Sequence, residues 1–457
     1  MSPAAAAANS RRIRGIDAAR GIALLGMMAT HIFPLWDEGA AEPNFAGLVF
    51  SGRSSALFAV LAGVGLALLT GGSRPHFGRA LLADRAGIAV RAVLIGTVGL
   101  LLGGLNVNIA IILVHYAVLF LCALPFLQLR LPALAAWAAG WMLLSPAVAF
   151  LLRPWALENV PPEGVLGHNP ATGDLFQPWT LLSDIFLTGY YPVLQWLSYI
   201  LVGLAVGRLD LLRTSHQLWL LAGGAAAAAG AKALSWLLMD RMGGYAAVAA
   251  TEPARREDFG LIYQVNMSWV EQEESWWWLG SASPHSGAGL DLLHTSGTSA
   301  AVLAVCLLIG SRWPVLLSPL GGPGAMTLSL YSAHVWIMSV VITLGLPLTR
   351  GQLYWGQVVL LVVTGMLFQA AGWRGPLELV ASTASRAARG LAAGRSRLPG
   401  WGPGGRAAAF SRRNGTVRSP GASFRAPAGG PKRRRTRRKA GTSCASPPAP
   451  PRPRPCT

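Results

Sequence analysis

Arg20 and His31 lie on one apolar stretch with ten residues between them. On a helix, eleven steps of about 100° return to nearly the same face, with a rise of roughly 16 Å. Ionisable groups inside an apolar span are costly and are functional by default. A guanidinium near one end can hold an anionic donor, and an imidazole near the other can act as nucleophile or base. One stripe carrying both points to chemistry across a membrane. Asp17, three residues before Arg20 at the helix start, suits the dipole there and can pair with Arg20.

Other polar groups interrupt apolar stretches. Arg53, in Ser51-Gly52-Arg53-Ser54-Ser55, is read either as an acceptor ligand or as a side chain reaching the interface. Ala59 and Gly63 have the small-residue spacing that lets helices approach closely. Arg74, Arg79, Arg85 and Arg91 form a basic cluster. Arg74 and Arg79 are read as topology signals. Arg91, about two turns inside a span, needs a partner or ligand, and arginine suits bidentate phosphate contact. Arg91 is therefore a reasonable site for the phosphates of coenzyme A, with Arg20 and Arg85 as further candidate ligands of an anionic donor. His115 with Tyr116, and Tyr331 with His334, are candidate acceptor ligands, the histidines alternatively bonding neighbouring helices. Glu271-Gln272-Glu273-Glu274-Ser275-Trp276-Trp277-Trp278 reads as an interfacial aromatic belt, ahead of Ser283-Pro284-His285-Ser286-Gly287. No phosphate-cradling glycine loop, nucleophile elbow or metal-ligand spacing occurs, so no metal is expected.

The elements that must position these groups are long and apolar. The chain has 457 residues, 53% hydrophobic and 12% charged, too few charges for a soluble domain. Ten spans are predicted, near 15–35, 46–70, 85–104, 107–127, 131–152, 188–207, 217–239, 290–310, 325–346 and 353–373. The expected fold is an all-α polytopic membrane protein of about ten transmembrane helices. The first span is read as retained, with no cleavage site after it. Positive residues favour the cytoplasmic side of short loops. Arg74, Arg79, Arg85, Arg130, Arg208, Arg213 and Arg312 fall together when both termini are cytoplasmic. The two longest polar loops then face outside. The net charge of +19 belongs to the end of the chain. From Arg386 onward there are 18 Lys+Arg and no acid, leaving 20 basic and 19 acidic groups in the other 385 residues. Residues 377–457 are expected to be a disordered cytoplasmic tail. Its run 432–439 is expected to contact anionic inner-leaflet lipid and not nucleic acid, because no aromatics interleave with the charge.

Three segments carry a resemblance. They are Gly15-Ile16-Asp17-x-x-Arg20-Gly21 running to His31, Tyr191-Pro192 through Gly203 with Gly207-Arg208, and Met326 through Tyr331 with His334, closing on Trp373-Arg374-Gly375-Pro376-Leu377-Glu378. Together they resemble the heparan-alpha-glucosaminide N-acetyltransferase catalytic family in its compact bacterial form, with a YeiB-type C-terminal region. The arginine–ten–histidine spacing is also that of the acyltransferase-3 family. The implied organisation is a basic N-terminus (1–14), then a transmembrane acyltransferase-like domain (15–376), then the tail. Within the domain, 15–210 is the catalytic-type half and 290–380 the YeiB-type region. The resemblance implies a plasma-membrane acyltransferase that takes an acyl group, commonly acetyl, from cytoplasmic acyl-coenzyme A. The acceptor is a hydroxyl or amine of an extracytoplasmic glycan or lipid-linked sugar, and a homo-oligomer is allowed. The catalytic role maps onto His31 by the acyltransferase-3 spacing, with Arg20 as its partner. The lysosomal enzymes instead place the active histidine in an outer segment after the first span. The competing expectation is a transporter or flippase without covalent chemistry. The acyltransferase reading expects Arg20 and His31 to face one shared tunnel.

Overall fold

The computed structural model describes residues 13–37, 39, 41–158, 166–255 and 257–394. Its helices, in chain order, are α1 (Arg14–Ile32), α2 (Phe45–Phe50), α3 (Arg53–Leu69), α4 (Gly78–Gly103), α5 (Leu113–Ala123), α6 (Leu131–Glu158), α7 (Pro178–Ser183), α8 (Val193–Gly207) and α9 (Thr214–Trp236). They continue with α10 (Gly244–Ala250), α11 (Phe259–Val265), α12 (Gly289–Arg312), α13 (Ser318–Gly324), α14 (Thr327–Leu344), α15 (Arg350–Ala371) and α16 (Pro376–Ala392). The strands found among the described residues are β1 (Trp36–Asp37) and β2 (Glu42–Pro43), a short antiparallel ribbon.

Seven helices among the described residues are long and apolar enough to cross a membrane, and a bent pair raises the number to eight. The bent pair joins Pro178–Thr188 to Val193–Gly207 at 54°. The protein is thus an all-α, multi-pass membrane protein. The count falls short of the predicted ten at two places. Helix α1 carries Arg14, Asp17 and Arg20, which lower its apolar character. Helix α5 is only 11 residues long and tightens into a 3-10 turn at Leu124–Gln128, where Pro125 cannot donate to a helical ladder.

Glycines set the closest helix crossings. A Cβ on Gly63 of α3 would strike the backbone of Ile200 and Gly203 on α8, as the Ala59/Gly63 spacing predicts. A Cβ on Gly21 of α1 would strike Leu320 of α13, and one on Gly324 would strike Asp17. Helix α1 is therefore clamped in the bundle interior, with 13 of its 19 residues buried. Large apolar side chains such as Leu143, Trp219, Val359 and Leu367 are instead exposed on outer faces, where lipid would cover them.

Arg208, read from sequence as a topology signal, has a packing role as well. Its guanidinium is donated to the carbonyls of Leu129 (3.2 Å), Ala67 (3.0 Å), Gly72 (2.8 Å) and Leu127. Two of these close the C-terminal end of α3, where a cation complements the helix dipole. The Gly207-Arg208 pair of the second resembling segment thus ties α8 to α3 and to the turn after α5.

The expected tail begins too early. Pro376–Ala392 is helix α16, started by Pro376 in its first turn and packed along α4. Arg389 donates to Asp84 of α4, which also meets His76 Nδ1 at 2.6 Å. Composition averaged this helix into the Gly/Pro/Arg-rich stretch after it, although its own residues can dock. The polybasic run 432–439 and residues 1–12 lie outside the described residues.

Candidate active site

Two of the cavities that helix α1 borders, one toward each of its ends, hold sequence-predicted site residues. The first, of about 390 Å³, is lined by Arg20 of α1, Arg91 of α4 and Glu378 of α16. Its depth is apolar and aromatic, with Phe58, Ile95, Tyr116, Phe120 and Tyr331. Arg20 pairs with Asp17 at 3.6 Å, and its Nη2 occupies the space left by the missing Cβ of Gly65 on α3. Arg91 makes no hydrogen bond to any described residue. Glu378 accepts from the Leu328 (2.7 Å) and Ser329 (3.2 Å) N–H groups, capping the start of α14. Two guanidinia over an apolar chamber suit an amphiphile with an anionic head and a long arm.

The second cavity, of about 290 Å³, is lined by His31 with Phe33, Trp36, Asn108, Tyr190, Tyr191, Asn266, Trp269 and His285. His31 Nδ1 lies 3.1 Å from His334 Nε2, and the two rings are nearly parallel at 7°. His334 Nδ1 lies 2.8 Å from Gln357 Oε1 on α15. His285 sits on a turn at φ 62°, a conformation that costs a side-chain-bearing residue energy and that clusters at functional sites. Burial among Tyr191 and Trp196 lowers its imidazole to about 4, so it stays neutral at physiological pH. It lies in the loop segment Ser283–Gly287. Sequence offered no sign that the turn would fold under the cavity.

No residue lines both cavities among the described residues, so the expected shared tunnel is replaced by two chambers. The partition is the non-helical segment between α4 and α5. Asn108, Ile109 and Ala110 face the His31 chamber, while Ile112 and Leu113 face the Arg20 chamber. Asn169 clamps it through the two peptide groups that flank Ala110, donating to the Ile109 carbonyl (2.7 Å) and accepting from Ile111 N–H (2.7 Å). Tyr331 Oη donates to the Ala110 carbonyl at 3.1 Å. His168, next to Asn169, meets Asp184 at 3.3 Å. This hydrogen bond raises the imidazole's pKa, with Asp174 adding to the effect.

Several sequence-predicted residues move from their expected places. Tyr116 and Tyr331 line the Arg20 chamber, not the His31 chamber. His334 lies behind His31 and outside the cavity lining. Arg85 is outside both chambers, its Nε donating to the Leu124 carbonyl at 3.1 Å. Arg53 bonds His294 Nε2 (3.2 Å) and the Leu48 carbonyl (2.7 Å), also away from both. His115 is fully buried with both ring nitrogens unpartnered, beside Tyr191 and Gly189. Of the tryptophan run, Trp278 is buried in a small core with Met239, Phe259 and Met267, whereas Trp276 is exposed. Sequence reasoning missed Gln357 and Asn169, and it quoted His285 and Glu378 within motifs without giving either a site role. The signals available were a glutamine inside an apolar span and an acid just after a Gly-Pro helix start.

A helical bundle whose first helix borders a cation-rimmed chamber and a histidine-lined one defines a multi-pass membrane protein with internal chambers. Residues 12–237 match the family model described as heparan-alpha-glucosaminide N-acetyltransferase, catalytic. That stretch is a heparan-alpha-glucosaminide N-acetyltransferase-like domain. No curated protein matches the chain.

Proposed function

We propose that the protein is a membrane acyltransferase that moves an acyl group, acetyl in the first instance, from acyl-coenzyme A to an amine or hydroxyl on the opposite side. The acceptor class is an extracytoplasmic glycan or lipid-linked sugar. The reading places the chain in the plasma membrane with both termini cytoplasmic and the basic tail on anionic lipid. One observation carries it: two chambers of complementary chemistry lie along one helix, with Arg20 and Arg91 in one and His31 in the other. The residues fit the donor. Guanidinia suit its phosphates, and the apolar chamber suits its arm.

In this scheme His31 takes the proton of the acceptor as the new acyl–N or acyl–O bond forms and the C–S bond breaks. The proton is then available to the departing thiolate. A covalent acyl-histidine is the variant in which His31 itself attacks first. The thioester must pass the Ile109–Ile112 partition, where Tyr331 holds the Ala110 carbonyl.

The test is a proteoliposome with labelled acetyl-coenzyme A on one face and an amino-sugar glycan on the other. Labelled product on the acceptor face is expected. A transport reading has the broken span Pro178–Gly207 in its favour, because transporters place binding sites at such breaks. Glycan movement with no acylated product would establish that reading and remove ours.

A further inference from the structure

We propose that Gln357 and His334 are positioning residues that hold His31 in the tautomer whose Nε2 carries the lone pair. The inference deepens the acyltransferase reading and rests on it for its meaning, though not for its geometry.

The argument starts from Gln357, 4% exposed on α15. Its amide meets two neighbours, His334 Nδ1 at 2.8 Å through Oε1 and Met338 Sδ at 3.7 Å through Nε2. A thioether can only accept, and weakly. The amide nitrogen therefore belongs on the sulfur side and the carbonyl on the imidazole side. A carbonyl oxygen cannot donate, so His334 Nδ1 must carry the proton. A neutral imidazole has one N–H, which leaves His334 Nε2 as an acceptor. His31 Nδ1, 3.1 Å away, must then donate. By the same count, His31 Nε2 is the nitrogen with the free pair, on a residue that lines the chamber.

The chain of bonds has a chemical consequence. When His31 accepts a proton at Nε2, its Nδ1–H bond to His334 is unchanged. No second proton has to move and no group has to reorient, which is what a preorganised base requires. Among the described residues no carboxylate lines this chamber. The titratable groups around His31 are His334 behind it, and Tyr190, Tyr191 and His285 across the cavity. A histidine and a glutamine thus do the orienting that a carboxylate does in other base-assisted enzymes.

Both positioning residues lie beyond residue 237, where the family match ends. The matched stretch supplies the reacting imidazole. The unmatched C-terminal helices α14 and α15 decide which of its nitrogens reacts.

The first test needs no activity. Imidazole ¹⁵N–¹H correlation spectra of the full chain in nanodiscs, assigned with His31→Gln and His334→Gln, are expected to show both rings in the Nδ1–H form. An Nε2–H form of either ring overturns the proposal. The second test is kinetic. Gln357→Leu is expected to lower kcat for acetyl transfer about 100-fold through loss of orientation, with KM for acetyl-coenzyme A unchanged. Gln357→Glu, which still accepts at the same place, is expected to restore most of the rate and move the acidic limb of the pH–rate profile upward. An unchanged kcat and profile in Gln357→Leu overturns the proposal. Spectra of the expected form in a protein that acylates nothing would uphold the relay and remove the acyltransferase reading.

Discussion

The two chambers beside α1 are built by different means. The Arg20 chamber is walled mostly by helices: α1, α3, α4, α5, α13 and α14, with Glu378 from α16, and only Ile112 and Ala325 among its lining residues lie outside a helix. In the His31 chamber, only Thr30 and His31 among the lining residues lie in a helix. The rest come from the turns after α1 and α2, the partition segment, the break before α8 and the folded loop 266–285. A helical wall gives a fixed slot for a constant ligand. Loops converging on one imidazole give a surface whose shape can differ while the base stays put. On the proposed function, the constant ligand is the donor and the variable one the acceptor.

That contrast can be broken by separating the chambers' effects. Arg91→Gln removes a charge-assisted contact worth about 1.5–3 kcal/mol. It is expected to raise KM for acetyl-coenzyme A about 10- to 100-fold, with little change in acceptor KM. Steady-state kinetics with both substrates varied reads this, and an equal effect on both would erase the distinction. Arg389→Ala leaves the Asp84 carboxylate, 2% exposed, without its guanidinium partner. The cost is about 1–3 kcal/mol, visible as a lower unfolding midpoint in micelles. Loosening α16 also frees Glu378, so donor affinity falls while the His31 chamber keeps its shape.

The smallest effect concerns the partition. The pKa of His168 is raised first by its hydrogen bond to Asp184, with Asp174 and the Asp184 charge also contributing. Protonated His168 favours the folded loop that carries Asn169. Its stabilisation is complete below the ordinary imidazole value of about 6.5 and is lost as pH rises through the raised value. Thermal unfolding followed upward from about pH 6 should show this decline. His168→Gln should flatten it, and an identical slope in that variant would detach the pair from the partition's stability.

The helical chamber was legible in the sequence, and the loop chamber mostly was not. Arg20 and His31 could be placed on one stripe by spacing alone, and Arg91 by its depth inside a span. The partition could not, because residues 108–112 follow neither helical nor strand period and their position depends on Asn169, about 60 residues later. Tyr116 and Tyr331 were found as polar groups in apolar helices, but sequence gives no depth for a side chain relative to a barrier it cannot see. His334 was found for the same reason, and its role turned on Gln357, a residue of the following helix. His285 owes its place to a positive φ at a non-glycine residue, which no residue pattern announces. Arg85 and Arg53 were drawn in by charge alone. Each has a protein partner that only the folded chain supplies.

The division of labour between the chambers is tested most directly by measuring coenzyme A binding and acetyl transfer on the same His31→Ala protein. The account predicts binding equal to that of the unaltered chain and transfer reduced by about 10²- to 10⁴-fold, the contribution of a general base. Transfer at the unaltered rate, or loss of binding in step with transfer, would contradict it.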